Sequence, residues 1–379
     1  MIFLQDHGTM LSFWEQTNFL KYDLIVIGGG IVGLSAAIQY KKKQPKASVL
    51  VLERGLFPTG ASTKNAGFAC FGSLTEILDD LEVLDEGEVL SLVEKRYRGL
   101  NAIREVFGDS VLGYQPFGGF ELITENELFQ LDNMDRVNSI LEPIFKKPVF
   151  EIFKKDLGFG PKVKTVVKNK FEGELNTGSF LNALWTMCGE LGVKILTGAN
   201  VEKLDLAQKE VLVLSGNNGG RITFKGGKIA ICTNAFTKSL FPEMDISPGR
   251  GLVFMTETLP FAIPWQGSFH YDKGYVYFRN IDNRLLLGGG RNQDFKAENT
   301  TEFGVNPKIK DYLVSIMEDV IFPGYSPKIE MEWSGIMAFG PDKRPILEKV
   351  SEDVVLAVRL GGMGVAIGWD TAGALVKLF

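Results

Sequence analysis

Residues 22–27 read YDLIVI, a short β-branched run, apolar from Leu24 on, of the length expected for a fully buried parallel strand. The run stops at Gly28-Gly29-Gly30-Ile31-Val32-Gly33, residues 34–43 have helical composition, and residues 48–52 (SVLVL) supply a second strand. Further along, apolar positions at near-helical spacing predict a helix over 82–107. Residues 117–124 read as a strand, 125–141 as a helix, and 173–191 as a segment that opens into a helix stopped by Gly192. Buried strands are expected at 193–196, 228–232 and 354–360. The segments 251–257, 275–279 and 284–287 look like an antiparallel set with a turn at Asp282-Asn283, and a last helix is expected over 365–379.

Composition narrows the class. With 379 residues, 45% hydrophobic, 23% charged and a net charge of -5, the chain reads as an ordinary globular protein of about two domains. The mild acidity argues against a nucleic-acid partner, and the lysines Lys146, Lys147, Lys154, Lys155, Lys162, Lys164, Lys168 and Lys170 read as a solvated face. Three scattered cysteines, Cys70, Cys188 and Cys232, exclude a disulfide framework and suit the cytoplasm. The two histidines, His7 and His270, are too few for a histidine-rich metal site and read as structural or surface groups. No integral membrane segment is expected, because the longest apolar run, 24–38, is too short and is interrupted by glycines. Residues 1–20 lack a signal-peptide pattern, and a short amphipathic helix over 11–19 accounts for them.

The chemistry is carried by glycine, which occurs 43 times. In a strand, turn and helix unit, Gly28 makes the turn, Gly30 lets backbone approach a pyrophosphate, Gly33 lets the helix lie close on the strand, and the amides of Ile31 and Val32 face the anion. Glu53 follows the second strand twenty residues after Gly33, where an acid meets ribose hydroxyls. Next come Arg54 and a small polar loop, Ala61, Ser62, Thr63, Lys64, Asn65, Ala66 and Gly67, suited to hold a second stretch of cofactor. Gly67 would allow approach to a flat ring.

These segments, IGGGIVGLSAA, ERG and GASTKNAGF, together with the C-terminal region, resemble the D-amino-acid-oxidase-like superfamily of FAD-dependent oxidoreductases. The resemblance implies an α/β fold in which a Rossmann-like FAD-binding domain (1–81, 171–245 and 330–379) interleaves with an α+β substrate domain (82–170 and 246–329) containing a large antiparallel sheet. It further implies that Val201 contacts adenine through its backbone, that Thr233 and Asn234 stand at a small-residue cofactor contact, and that Gly335 belongs to a third cofactor segment. In that segment the amides of Gly361, Gly362, Met363, Gly364 and Val365 face the pyrimidine end of the flavin. Because no cysteine follows Cys232, the flavin linkage of sarcosine-oxidase relatives is excluded and FAD is expected to be noncovalent.

The activity implied is oxidation of a C–N bond in an amino acid or secondary amine, with 2-hydroxy-acid oxidation or a noncatalytic flavoprotein or assembly factor as alternatives. The electron acceptor is dioxygen, a quinone or a redox protein. Met337 stands where glycine-oxidase relatives carry the arginine that clamps the substrate carboxylate. Arg279 is the first substitute, with Arg250 and Arg291 behind it. Tyr277 is a further candidate, and Lys64 and Lys273 are candidates for activating dioxygen. A disulfide reductase of the flavin and nicotinamide type is excluded by the missing CxxxxC pair and second GxGxxG.

Overall fold

The structure is a computed structural model, and it describes residues 10–214 and 220–379. Its centre is an eight-stranded sheet. Parallel strands Val354–Val358, Arg221–Ile231, Lys21–Ile27, Val49–Leu52 and Lys194–Leu196 lie side by side, and Ile346–Ser351 closes one edge antiparallel. The apolar run that predicted the first strand is buried on both sides, as a parallel strand between two layers must be. Leu24 and Val26 pack into the helical layer, whereas Ile25 and Ile27 pack on the opposite face with Val211, Phe224 and Ile336. The helical layer holds Ile31–Lys43, Gly364–Lys377 and Glu86–Phe107 against one another.

A second eight-stranded sheet runs in the order Ile329–Phe339, Ser247–Thr256, Arg284–Gly289, Val276–Ile281, Ser268–Tyr271, Gly119–Thr124, Val163–Asn169, Phe150–Phe153. It is antiparallel except where Ser268–Tyr271 pairs parallel with Gly119–Thr124. Phe120, Phe269 and Phe278 stack through its core with Trp265 against them. Residues 330–339, assigned from sequence to the cofactor segments, are hydrogen-bonded along their length to Ser247–Thr256 and so form an edge of this second sheet.

Local expectations change in three places. The helix expected over 125–141 is a 3₁₀ segment, Glu125–Asn133, followed by the α-helix Met134–Phe145. The helix expected from 82 starts at Glu86 on an Asp85 capping box, and a separate helix, Leu74–Leu81, precedes it on a Ser73–Glu76 capping box. The lead-in helix is only Phe13–Asn18, with Phe13 and Trp14 exposed rather than packed on an apolar face. His7 lies outside the described residues.

Behind the Leu74–Leu81 helix sits a buried cluster of acids. Glu121 accepts hydrogen bonds from Ser73 Oγ, Thr75 N and Thr75 Oγ1, and Glu172 accepts from the amides of Phe71 (2.8 Å) and Gly72 (3.1 Å). Burial raises their carboxyls to about 7 and about 8 respectively, with these hydrogen bonds pulling the other way. Both groups therefore hold protons in the folded state at pH values where the unfolded chain has lost them. Stability is fully present below the ordinary glutamate value and falls as pH rises through 7 and 8. Denaturant unfolding at pH 5.5 and 8.5 should show this loss, and Glu172→Gln, which mimics the neutral acid, should flatten it. A second expectation concerns Gly33, where an added Cβ would overlap the Gly28 carbonyl oxygen. Gly33→Ala should cost about 1–3 kcal/mol in the same assay by forcing the helix off the strand.

Candidate functional site

The two sheets enclose one extended cavity of about 580 Å³, within the size range of small-molecule and cofactor sites. Its wall gathers residues far apart in sequence. Gly28, Gly30, Ile31 and Val32 come from the first turn, and Glu53 and Arg54 from the second strand's end. Ala61, Ser62, Lys64, Asn65 and Ala66 come from the polar loop. Val201, Thr233, Asn234 and Gly335 join them, together with Gly361, Gly362, Met363, Gly364 and Val365. Gly33, Thr63 and Gly67 are not part of the wall. Gly33 serves the helix contact already described, and Thr63 turns its hydroxyl to the Pro58 carbonyl.

The helices Ile31–Lys43 and Gly364–Lys377 both open on this cavity, and neither has a side-chain cap. Uncapped first-turn amides leave donors and the positive end of each helix dipole directed at the space. Ser62 Oγ lies across the first of these termini and accepts from the Ile31 amide at 3.0 Å. Glu53 is buried, and its two oxygens accept from Gly29 N and Gly55 N, each at 2.9 Å. The Arg54 guanidinium lies 3.5 Å from the centre of the Phe236 ring, and burial lowers its pKa. Asn65 organises the loop: its amide donates to Ala61 O and Ser62 O, while its oxygen accepts from Gly67 N and Thr177 Oγ1. This set of anion-facing amides, a buried acid and glycine-rich walls fits a dinucleotide such as FAD.

Two assignments from sequence are corrected. Arg279 is not available to a substrate, because its Nη1 donates to Ala66 O, Gly67 O and Leu175 O at 3.1, 3.2 and 2.9 Å, and its Nη2 is 3.1 Å from Glu174 Oε1. Buried and paired, it ties the loop to two other segments and does not line the cavity. Gly67, expected to face a flat ring, is likewise not part of the cavity wall. Its φ of +75° suits glycine, and a side chain there would overlap Leu175 O and crowd Arg279. Arg250 is also committed elsewhere, with Nη2 2.8 Å from Glu298 Oε1.

Arg291 stands differently. It lines the cavity with its guanidinium 3.9 Å from the Phe339 ring centre and 4.7 Å from that of Phe295, and it makes no ion pair or hydrogen bond among the described residues. The second sheet adds Tyr275, Tyr277, Met337 and His270 around it, so that of the strand aromatics Phe269 and Phe278 are core while Tyr275 and Tyr277 are wall. Burial pushes the Tyr277 hydroxyl up to about 12, which keeps it neutral. Lys64 lines the same space, and its carbonyl accepts from Trp333 Nε1. Lys273 lines it too, but is paired with Asp79 at 3.2 Å. Cys70 is a buried wall residue whose thiol burial holds well above its usual pKa, with Met363 Sδ at 3.9 Å.

Sequence reading missed Glu76, Asp79, Asp80 and the cavity face of His270. The S-x-x-E pattern at Ser73 and Glu76 was legible only as a helix cap.

Comparison with known proteins agrees with this geometry. The family described as FAD dependent oxidoreductase (DAO) matches residues 23–378. The bifunctional protein ThiO/ThiG of Synechocystis is 24% identical over 94% of this chain and 51% of its own length, and that of Trichormus variabilis is 22% identical over 86% and 47%. The chain thus spans about half the length of these curated relatives. The probable oxidoreductase OrdL of Haemophilus influenzae is 24% identical, covering 94% of this chain and 82% of that protein. Among solved structures, glycine oxidase from Geobacillus kaustophilus has a TM-score of 0.75 at 18% identity, covering 94% of this chain and 95% of its own. L-proline dehydrogenase from P. horikoshii has a TM-score of 0.71 at 17% identity over 95% and 93%. No helix among the described residues is long and apolar enough to cross a membrane. On the match across nearly its whole length, with the glycine-lined cavity where the dinucleotide belongs, this chain is a member of the DAO family of FAD-dependent oxidoreductases.

Proposed function

We propose that the protein uses noncovalently held FAD to oxidise the C–N bond of a small amino acid or secondary amine that carries a carboxylate. The observation that carries this reading is Arg291, a cation on the cavity wall that forms no ion pair among the described residues, Glu298, which acts on it through space, being paired with Arg250. A planar guanidinium held between two rings is pre-oriented for a bidentate carboxylate. FAD, when bound, supplies the acceptor for the hydride leaving the substrate carbon. The chain's own share is binding and orientation. Ile31 and Val32 amides with Ser62 would meet the pyrophosphate, Glu53 the ribose and Val201 the adenine. The amides at Gly361–Val365 would meet the ring, where a helix N-terminus favours the negative charge of the reduced form.

Segments 1–81, 171–245 and 330–379 supply the cofactor contacts in this reading, and 82–170 with 246–329 the substrate end. The names of the structural relatives support an amine or amino acid: glycine oxidase, L-proline dehydrogenase and iminodiacetate oxidase are among them. A noncatalytic role rested on Met337 replacing an arginine, and Arg291 answers that objection by supplying a cation on the same wall. The acceptor of the electrons is dioxygen, a quinone or a redox protein, and three buried unpaired cysteines suit a reducing cytoplasm.

The purified protein should show a flavin spectrum that bleaches when amines or amino acids are added without oxygen. Bleaching by 2-hydroxy acids alone would replace the substrate class, and a yellow protein that nothing reduces would favour the noncatalytic reading. Arg291→Met should raise the substrate KM about 100-fold, the loss of one charged hydrogen-bonding pair, with FAD affinity unchanged. Arg279→Met should do the reverse, releasing FAD and lowering the unfolding midpoint by loosening the Ala66–Gly67 carbonyls.

A further inference from the structure

The end of the cavity formed by the second sheet has two electrostatic poles. Arg291 is one. The other is Glu76, which lines the wall from the Leu74–Leu81 helix with its Oε2 3.7 Å from His270 Nδ1. His270 is buried, also lines the cavity, and neither of its ring nitrogens has a hydrogen-bond partner. A buried imidazole bonded at neither nitrogen is uncommon, and on a cavity wall it leaves both nitrogens free to meet a group that enters the cavity. Phe68, also on the wall, lies edge-on to His270 at 5.3 Å and to Tyr277 at 5.8 Å.

We propose that Glu76 binds the ammonium group of the substrate and that His270 behind it takes up the ammonium proton. The assignment rests on the amine-oxidation reading above and deepens it to a substrate whose carboxylate meets Arg291 and whose charged nitrogen meets Glu76. An ammonium must lose a proton before its nitrogen has a lone pair to form the C=N bond. In that step an N–H bond breaks, its electron pair stays on the substrate nitrogen, and the proton passes by way of Glu76 Oε2 to the lone pair of His270 Nδ1. No oxidant or co-reactant enters it. A 2-hydroxy acid brings no cation to this pole, so the pair separates the two substrate classes.

The surroundings suit the roles. Burial works against charge on Glu76, but His270, Lys343, the Ser73 amide and Arg96 outweigh it and hold the carboxyl below its usual value. Burial lowers His270 against the opposing pull of Glu76, so the ring is neutral near pH 7 and has a nitrogen lone pair to offer. From the other elements packed here, Glu121 and Tyr277 are the strand neighbours of His270, and Cys70 and Glu172 lie nearby with Arg96. Asp80 is shared by Lys343 at 2.8 Å and the buried Arg96 at 3.8 Å, and Lys273 pairs with Asp79 at 3.2 Å. Glu121 and Glu172 hold protons themselves up to about 7 and about 8. Glu76 makes no ion pair with a lysine or arginine among the described residues, and its carboxylate faces His270 at 3.7 Å.

The test uses FAD-loaded protein, with glycine, sarcosine and L-proline as amine probes and glycolate as the hydroxy-acid probe, each titrated by its perturbation of the flavin spectrum across pH. Amine binding should weaken as pH falls through the histidine range, about tenfold per unit, while glycolate binding shows no such limb. His270→Gln should abolish the limb without changing FAD affinity, and Glu76→Gln should weaken amine binding at least tenfold while leaving glycolate within twofold. The unfolding midpoint reports whether each variant folds, and Glu76→Gln decides the matter alone if His270→Gln does not. Retention of the limb in His270→Gln overturns the proposal. So does full amine affinity in Glu76→Gln, or a loaded protein whose spectrum none of the amines perturbs. Failure of the parent protein to take up FAD overturns the oxidoreductase reading beneath it.

Discussion

Backbone amides at the start of an α-helix must find acceptors, and in this protein two helices direct theirs into the same enclosed space. Ile31–Lys43 and Gly364–Lys377 begin without a side-chain cap and lie against one another, so both positive ends face one cavity. Elsewhere the chain caps its helices with care, using capping boxes at Asp85–Glu88 and Ser73–Glu76. Two uncapped termini on one cavity wall are what an anionic cofactor completes, and the rest of the site is arranged around that requirement. The first helix lies close on its strand because Gly33 lets it, and Ser62 crosses from the polar loop to the same terminus.

Much of the nucleotide end was legible in the sequence because its signals are local. A buried strand, a glycine turn, a helix and an acid at a set spacing are read within one stretch of chain, and Gly28, Gly30, Glu53 and Ser62 do meet in one wall. The substrate end was less legible because its residues acquire meaning only through partners distant in sequence. Arg279 and Arg291 look equivalent in a strand-rich segment. One turns inward to three carbonyls and Glu174, and the other lies between two rings facing the cavity. Strand alternation puts successive aromatics on opposite faces of the sheet but does not say what either face meets. Glu76 was hidden differently, since a residue that completes a helix cap has a sufficient local explanation.

Charge is handled differently at the two sides of the Leu74–Leu81 helix. Toward the cavity, acids are paired with cations from other elements, with Lys343 2.8 Å from Asp80 and Lys273 3.2 Å from Asp79. Behind it, Glu121 and Glu172 face amides and hydroxyls in a space too dry to hold their charge, and they retain protons instead. One short helix thereby separates a charged wall from a neutral hydrogen-bonded interior.

The order of strands in the central sheet has a consequence for how the protein comes into being on the ribosome. Lys21–Ile27, the first long strand synthesised, is flanked on one side by Arg221–Ile231, which in turn pairs with Val354–Val358. The second uncapped helix follows that last strand and ends at Lys377. A nascent chain carrying the whole first glycine turn therefore has only part of the cavity wall, because Gly364–Lys377 supplies another part of it. A chain truncated before that helix would forfeit this part of the cradle however well its first glycine motif were formed.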